Sequence, residues 1–193
     1  MTNAPSVLVF AGSTREESLN KRLAKAASLT VADMGGRPNL IDLKDFPAPI
    51  YNGDAEEVNG VPPSIIALTA LIREHDGLII ATPEYNGFFP SLVKNTLDWC
   101  SRPGASEENP SLPRGKPACV MACSPGGLGG IRVIPRLRDC LSELGFLVSP
   151  EVFALGNAND AFGDDGRLTD QVKTKGLRNT VGSLLALSSA QSE

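Results

Sequence analysis

Polar and glycine residues gather in three stretches of this sequence, and each stretch offers a different contact to a ligand. The first, residues 12–20, reads Gly-Ser-Thr-Arg-Glu-Glu-Ser-Leu-Asn. Ser13, Thr14, Ser18 and Asn20 supply hydrogen-bond donors. A helix starting just after them adds free backbone N–H groups and a partial positive charge. Arg15 contributes a permanent charge that bonds phosphate oxygens in pairs. The set suits a phosphate. It also suits a plain helix start, with Ser18 as cap and Glu16 and Glu17 favouring the dipole. The ATP-type pattern GxxxxGK[ST] is missing.

The second stretch, residues 82–90, reads Thr-Pro-Glu-Tyr-Asn-Gly-Phe-Phe-Pro. It places an aromatic, an amide and a glycine together, so a planar ring could lie against it with Asn86 at its polar edge. Pro, Asn and Gly are also ordinary turn residues, although a turn alone has no use for Glu84, Tyr85 and two phenylalanines. The third, residues 124–130, is Ser-Pro-Gly-Gly-Leu-Gly-Gly. Its missing side chains let backbone N–H groups approach a ligand, or simply make a flexible connection. A dinucleotide fingerprint would need a further glycine where Arg132 stands.

Composition narrows the classes. With 193 residues, 41% hydrophobic and 21% charged, the chain fits one α/β domain over residues 1–193. Such a domain buries a core that needs neither disulfides nor a structural metal. A net charge of −4 without a Lys/Arg run argues against nucleic acid, whose phosphates call for a basic surface. The apolar run 7–11 is too short for a signal-peptide core, and nothing later approaches about 18 continuous apolar residues. The expectation is no membrane partner and a cytoplasmic location. Cys100, Cys119, Cys123 and Cys140 form no CxxC pair, and His75 is the one histidine. Buried free thiols are therefore expected rather than zinc ligands. A Ser-His-Asp set would need His75, which falls at a helix end, away from the strand-end loops.

The elements that must position the three stretches alternate. Strands are predicted over residues 7–11, 39–43, 77–82, 118–122 and 146–148, the last extending toward 152. Helices are predicted over 19–34, 64–75, 91–100, 131–144 and 168–187, with Pro62 and Pro63 opening the second. Residues 45–59 and 102–114 read as loops. Five strands alternating with helices make a three-layer α/β sandwich around a parallel sheet. Right-handed crossovers favour the order 2-1-3-4-5, the flavodoxin-like fold, with a ligand at the carboxyl ends of strands one and three. Each of the three stretches follows the carboxyl end of a predicted strand: the first, the third and the fourth.

Four pieces then fall in a fixed order: Gly-Ser-x-Arg-x-x-Ser-x-Asn (12–20), Pro-Glu-Tyr-Asn-Gly (83–87), Leu-x-Lys-Asn-x-Leu-Asp-Trp (92–99) and Ser-x-Gly-Gly (124–127). Together they resemble the NADPH-dependent FMN reductase family, which includes azo-dye, quinone and chromate reductases. The resemblance runs over residues 7–147 and implies a bound FMN. Its phosphate would be held by Ser13, Arg15, Ser18, Leu19 and Asn20. The ring and ribityl chain would meet Pro83, Glu84, Tyr85, Asn86 and Gly87, and the ring's polar edge would meet Ser124, Gly126 and Gly127. It further implies that Lys94, Asp98 and Trp99 serve scaffold and subunit interface, in a homodimer or homotetramer. Phe88 and Phe89 depart from the smaller residues often found there, which would reshape the acceptor site.

A flavin carries hydride chemistry itself, in keeping with a sequence that offers no acid–base constellation. The implied activity passes hydride from NADPH or NADH to FMN. Electrons then leave for a quinone, azo compound, metal oxyanion or free flavin, in a ping-pong cycle with no catalytic side chain. The rival reading is a flavodoxin-type electron carrier without nicotinamide-dependent activity. Such carriers usually have a Thr-rich phosphate loop and strong acidity, and this chain has Arg15 and a mild charge. A flavin-using sensor is a third possibility, because fold alone does not decide function.

Overall fold

In the computed structural model, residues 4–102 and 111–191 are described. Strand β1 (Ser6–Ala11) leads into helix α1 (Leu19–Asp33), then β2 (Arg37–Ile41), α2 (Gly53–Asn59), α3 (Pro63–Glu74) and β3 (Gly77–Ala81). Helix α4 (Ser91–Cys100), β4 (Pro117–Cys123), α5 (Val133–Glu143), β5 (Leu147–Val148), β6 (Phe153–Leu155) and α6 (Gln171–Ala190) complete the order. All pairings are parallel in the order β2-β1-β3-β4-β5, and β6 also pairs with β4.

Alternation along the central strands divides the core. Val7, Val9, Ile79, Cys119 and Met121 face α1 and α6, while Leu8, Phe10, Leu78, Ile80 and Val120 face α3, α4 and α5. Every residue of β3 and β4 is buried, as expected of strands covered on both sides. Their near-continuous apolar runs make them recognisable in sequence for the same reason. The chain reverses direction relative to the sheet edge between β1 and β3, so a crevice opens at their carboxyl ends.

Several expectations change. The second strand lies at Arg37–Ile41, two residues before the predicted 39–43. The predicted loop over 45–59 is not a plain one: Leu43–Asp45 forms a 3-10 turn, and α2 follows. Helix α2 buries none of its residues, so it carries no apolar period; instead Asn52 Oδ1 caps it at the Asp54 and Ala55 N–H groups. The fifth strand is broken in two. Three steps along β4, from Ala118 to Met121, are matched by five along the edge, from Val148 to Phe153. Pro150 sits in that interruption. The closing helix starts at Gln171, where Asp170 accepts from the Lys173 N–H at 2.8 Å. The loop predicted over 102–114 falls largely on residues 103–110, outside the described residues.

All four cysteines are free thiols. Burial pushes Cys100 up to about 11, and Cys119 and Cys123 up to about 12, so these three stay protonated at neutral pH. Cys140 is only half-buried, contrary to the expectation of full burial. Among the described residues, no group of His, Cys, Asp and Glu is arranged to hold a metal. None of their helices is long and apolar enough to cross a membrane.

Candidate functional site

The crevice is built from three strand ends. Gly12 leaves β1 with its N–H on Ala81 O at 2.8 Å, and a Cβ there would lie 2.4 Å from Val93 Cγ2. Only glycine lets the loop pass this close to α4. Residues 14–17 then run exposed to the start of α1, while Ser13 and Ser18 are buried. Ser18 occupies the helix cap position with extended backbone, yet its hydroxyl makes no capping bond. The helix start is therefore left with unsatisfied N–H groups and their partial positive charge. Among the described residues the Arg15 side chain hydrogen-bonds only the Glu17 carbonyl, at 3.4 Å, so most of its donors are available.

Asn20 also ties two elements together. Its Nδ2 donates to Cys123 O at 3.1 Å and its Oδ1 accepts from Cys123 N at 3.0 Å. The amide thus bolts the first turn of α1 to the end of β4 and sets the width of the crevice.

After β3, Thr82 N continues the ladder onto Met121 O at 2.8 Å, and the chain folds into a tight hairpin. Tyr85 and Phe88 exchange backbone hydrogen bonds at 2.8 and 3.0 Å around Asn86 (φ 53°) and Gly87 (φ 78°). Two successive left-handed residues define a type I′ turn, for which Asn-Gly is the preferred pair. Glu84 stands at the base of this hairpin. Its Oε1 lies 2.5 Å from Arg132 at the start of α5, and its Oε2 is buried with no hydrogen-bond partner. The Tyr85 and Phe88 rings are half exposed at the rim.

The third loop is zipped to the segment after β6. Ser124 N donates to Leu155 O, Ala158 N to Ser124 O, and Asn157 N to Gly126 O, at 3.1, 3.1 and 3.2 Å. That segment forms the far wall. Arg22 holds it from α1, with guanidinium bonds of 3.3 Å to the carbonyls of Asn159 and Phe162 and its Cζ 4.7 Å from the Phe162 ring centre.

These elements enclose a pocket of about 410 Å³, within the range of small-ligand sites. Of the expected site residues it brings together Ser13, Arg15, Ser18, Leu19, Asn20, Pro83, Glu84, Tyr85 and Ser124. Asn86, Gly87, Gly126 and Gly127 stand outside its lining, in the hairpin tip and the glycine loop beyond. Glu17, Arg22, Cys123, Pro125 and Asn159 also line it and were not anticipated. Arg22 was legible in principle, since it lies four residues after Ser18 on the same helical face. Asn159 carried no such signal, because only the placement of β6 brings it to the pocket.

The pocket's chemistry fits FMN. An uncapped helix start beside a free guanidinium accepts a phosphate, with Arg22 as a second cation in the lining. The unpartnered Glu84 Oε2 is an acceptor without a donor, a costly state for a buried carboxylate oxygen. Ribityl hydroxyls and the ring imide N–H are donors of the required kind.

Comparison with known proteins agrees. Residues 5–160 match the family model described as NADPH-dependent FMN reductase. A quinone reductase of Pseudomonas putida is 34% identical over 175 residues, covering 90% of this chain and 89% of its own. An NAD(P)H-dependent FMN reductase of Pseudomonas aeruginosa is 37% identical, covering 88% of each. Among solved structures, FerB of Paracoccus denitrificans, a flavoenzyme NAD(P)H:(acceptor) oxidoreductase, superposes with a TM-score of 0.78 at 30% identity, covering 96% of this chain and 97% of its own. By its sequence, its fold and the loops that build its crevice, this chain belongs to the NADPH-dependent FMN reductase family.

Proposed function

We propose that this chain is an NAD(P)H-dependent oxidoreductase that holds FMN in the crevice at the ends of β1, β3 and β4 and reduces quinone-type acceptors. One observation carries the reading: an uncapped helix start beside Arg15 and a buried, unpartnered Glu84 Oε2 share a single pocket. When bound, FMN supplies the redox chemistry, taking hydride from a nicotinamide and releasing electrons to a second substrate. The protein's own part is to bind, orient and leave one side open. Ser13, Ser18, Arg15 and the α1 N–H groups take the phosphate end. Glu84, fixed by Arg132, takes a donor from the ligand, and Pro83, Tyr85 and Ser124 wall the ring end. The half-exposed Tyr85 and Phe88 rings offer a flat apolar rim, which suits planar acceptors such as quinones better than small oxyanions. Donor and acceptor use this one mouth in turn, which makes the kinetics ping-pong.

The α4 side supplies a homodimer interface in this reading. Ile50 is 88% and Val58 81% exposed, and Ile50, Tyr51 and Leu92 line a shallow depression beside the Lys94–Asp98 pair. The free thiols agree with a cytoplasmic setting. Anaerobic stopped-flow mixing of the FMN-loaded protein with NADPH or NADH tests the activity. Rapid loss of the oxidised flavin absorbance, restored by a quinone, is expected. A flavin that neither nucleotide bleaches would leave a binding module of electron-carrier type.

A further inference from the structure

Lys21 faces away from the pocket but grips the loop that forms it. Its Nζ donates to Thr14 O at 3.1 Å and to Asp42 Oδ2 at 2.6 Å. Its side chain lines a separate cleft of about 500 Å³ between α1 and the end of β2, together with Ala11, Leu40 and Phe46. Ser13, Arg15 and Ser18 line the other side. The loop therefore runs between two cavities, with Lys21 behind it.

A trans peptide plane points its C=O and the next residue's N–H in opposite directions. With the Thr14 carbonyl drawn toward Lys21, the Arg15 N–H points the other way, away from Lys21. Asp42 is itself fixed: it follows β2 directly, and its Oδ1 accepts the Lys44 N–H at 3.0 Å. Burial works against the ionised Asp42. The bonds from Lys21 and the Lys44 backbone, with both ammonium charges, outweigh burial and hold its carboxyl below the usual range. Both side chains of the pair are about one-fifth exposed, so the contact is sheltered. Residues 14–17 are exposed and pack little of their own.

We propose that Lys21, anchored by Asp42, is the positioning residue that orients the phosphate-binding loop. It acts by fixing the peptide between Thr14 and Arg15 and has no contact with the ligand. The proposal rests on the FMN reading above and extends it to a residue on the far side of the loop.

The test compares FMN with riboflavin, which lacks only the phosphate. Dissociation constants of both are measured on the full-length protein and on Lys21→Met, Lys21→Arg and Asp42→Asn, with melting curves as a check of folding. The parent protein should prefer FMN strongly. Lys21→Met should reduce that preference about tenfold or more with little change for riboflavin, and Lys21→Arg should restore part of it. Asp42→Asn is the sharper variant, because it keeps an oxygen for the Lys44 N–H. It should also reduce the preference, although it removes a negative charge near the phosphate site. An unchanged preference in Lys21→Met, or a raised one in Asp42→Asn, overturns the proposal; the second result would make Lys21 a through-space charge only. If Lys21→Met does not fold, Asp42→Asn decides alone. A parent protein that binds the two flavins equally defeats the phosphate site itself, a failure distinct from that of Lys21.

Discussion

Arg15 is the residue on which anion binding turns, and it contributes nothing visible to the fold. Its one hydrogen bond among the described residues is to the Glu17 carbonyl at 3.4 Å. Arg15→Ala should therefore weaken FMN binding roughly tenfold or more and leave the melting temperature unchanged, as a fluorescence titration and a thermal melt would record. Glu84 is a different case, since one oxygen is paired and the other is buried without a partner. Glu84→Gln keeps the shape, weakens the hold on Arg132 and replaces one acceptor by a donor. FMN affinity should fall by about tenfold; an unchanged value in the same titration would mean that the free oxygen meets no ligand donor. Sequence picked out Arg15 because a permanent charge beside small hydroxyls and a helix start suits a phosphate, and Glu84 because a plain turn has no use for it. It did not anticipate the bidentate tie of Asn20 to Cys123, which spans 103 residues of sequence. No local pattern announces a partner that distant.

Secondary elements were legible where burial imposes a pattern. The apolar runs of β1, β3 and β4 stand out because both faces of those strands are covered. Helix α2 and the split edge strand were not legible, for opposite reasons. Helix α2 buries nothing, so its polar sequence looks like loop; the edge strand is short and interrupted by residues 149–152. Two contacts outside the site carry testable stability. Trp99 is buried, donates from Nε1 to Pro49 O at 2.8 Å and meets the Tyr51 ring edge-on. Trp99→Phe should cost about 1–2 kcal/mol in urea unfolding. At the amino ends of β1 and β3, Asp76 Oδ2 accepts both the N–H and the hydroxyl of Ser6 at 2.7 Å, joining the entries of the two strands. Burial disfavours its charge, but the two Ser6 bonds and nearby Lys116 and Arg37 leave its carboxyl below the usual 3.8. A depressed carboxyl stabilises above its unfolded value and loses that contribution as pH falls through the folded one. Asp76→Asn should thus be less stable than the parent at pH 7, with the gap closing below about pH 4 in parallel denaturation series.

At the scale of the whole molecule, topology does the assembling. The order β2-β1-β3-β4-β5 puts three unrelated loops at one crevice, and each loop looked ambiguous when read alone. That convergence was legible, because right-handed crossovers leave few strand orders. The far wall was not, because Asn159 and the Arg22 contacts depend on β6, a strand of three residues. The molecule also offers a competing cavity of about 500 Å³ beside β2, walled by Ala11, Leu40 and Phe46, so the location of the flavin is itself a falsifiable claim. A crystal grown with excess FMN decides it. Flavin density is expected between the β1, β3 and β4 loops, with the phosphate against Ser13, Ser18 and Arg15. Flavin in the β2 cleft, or a crevice closed by its own side chains, would contradict it.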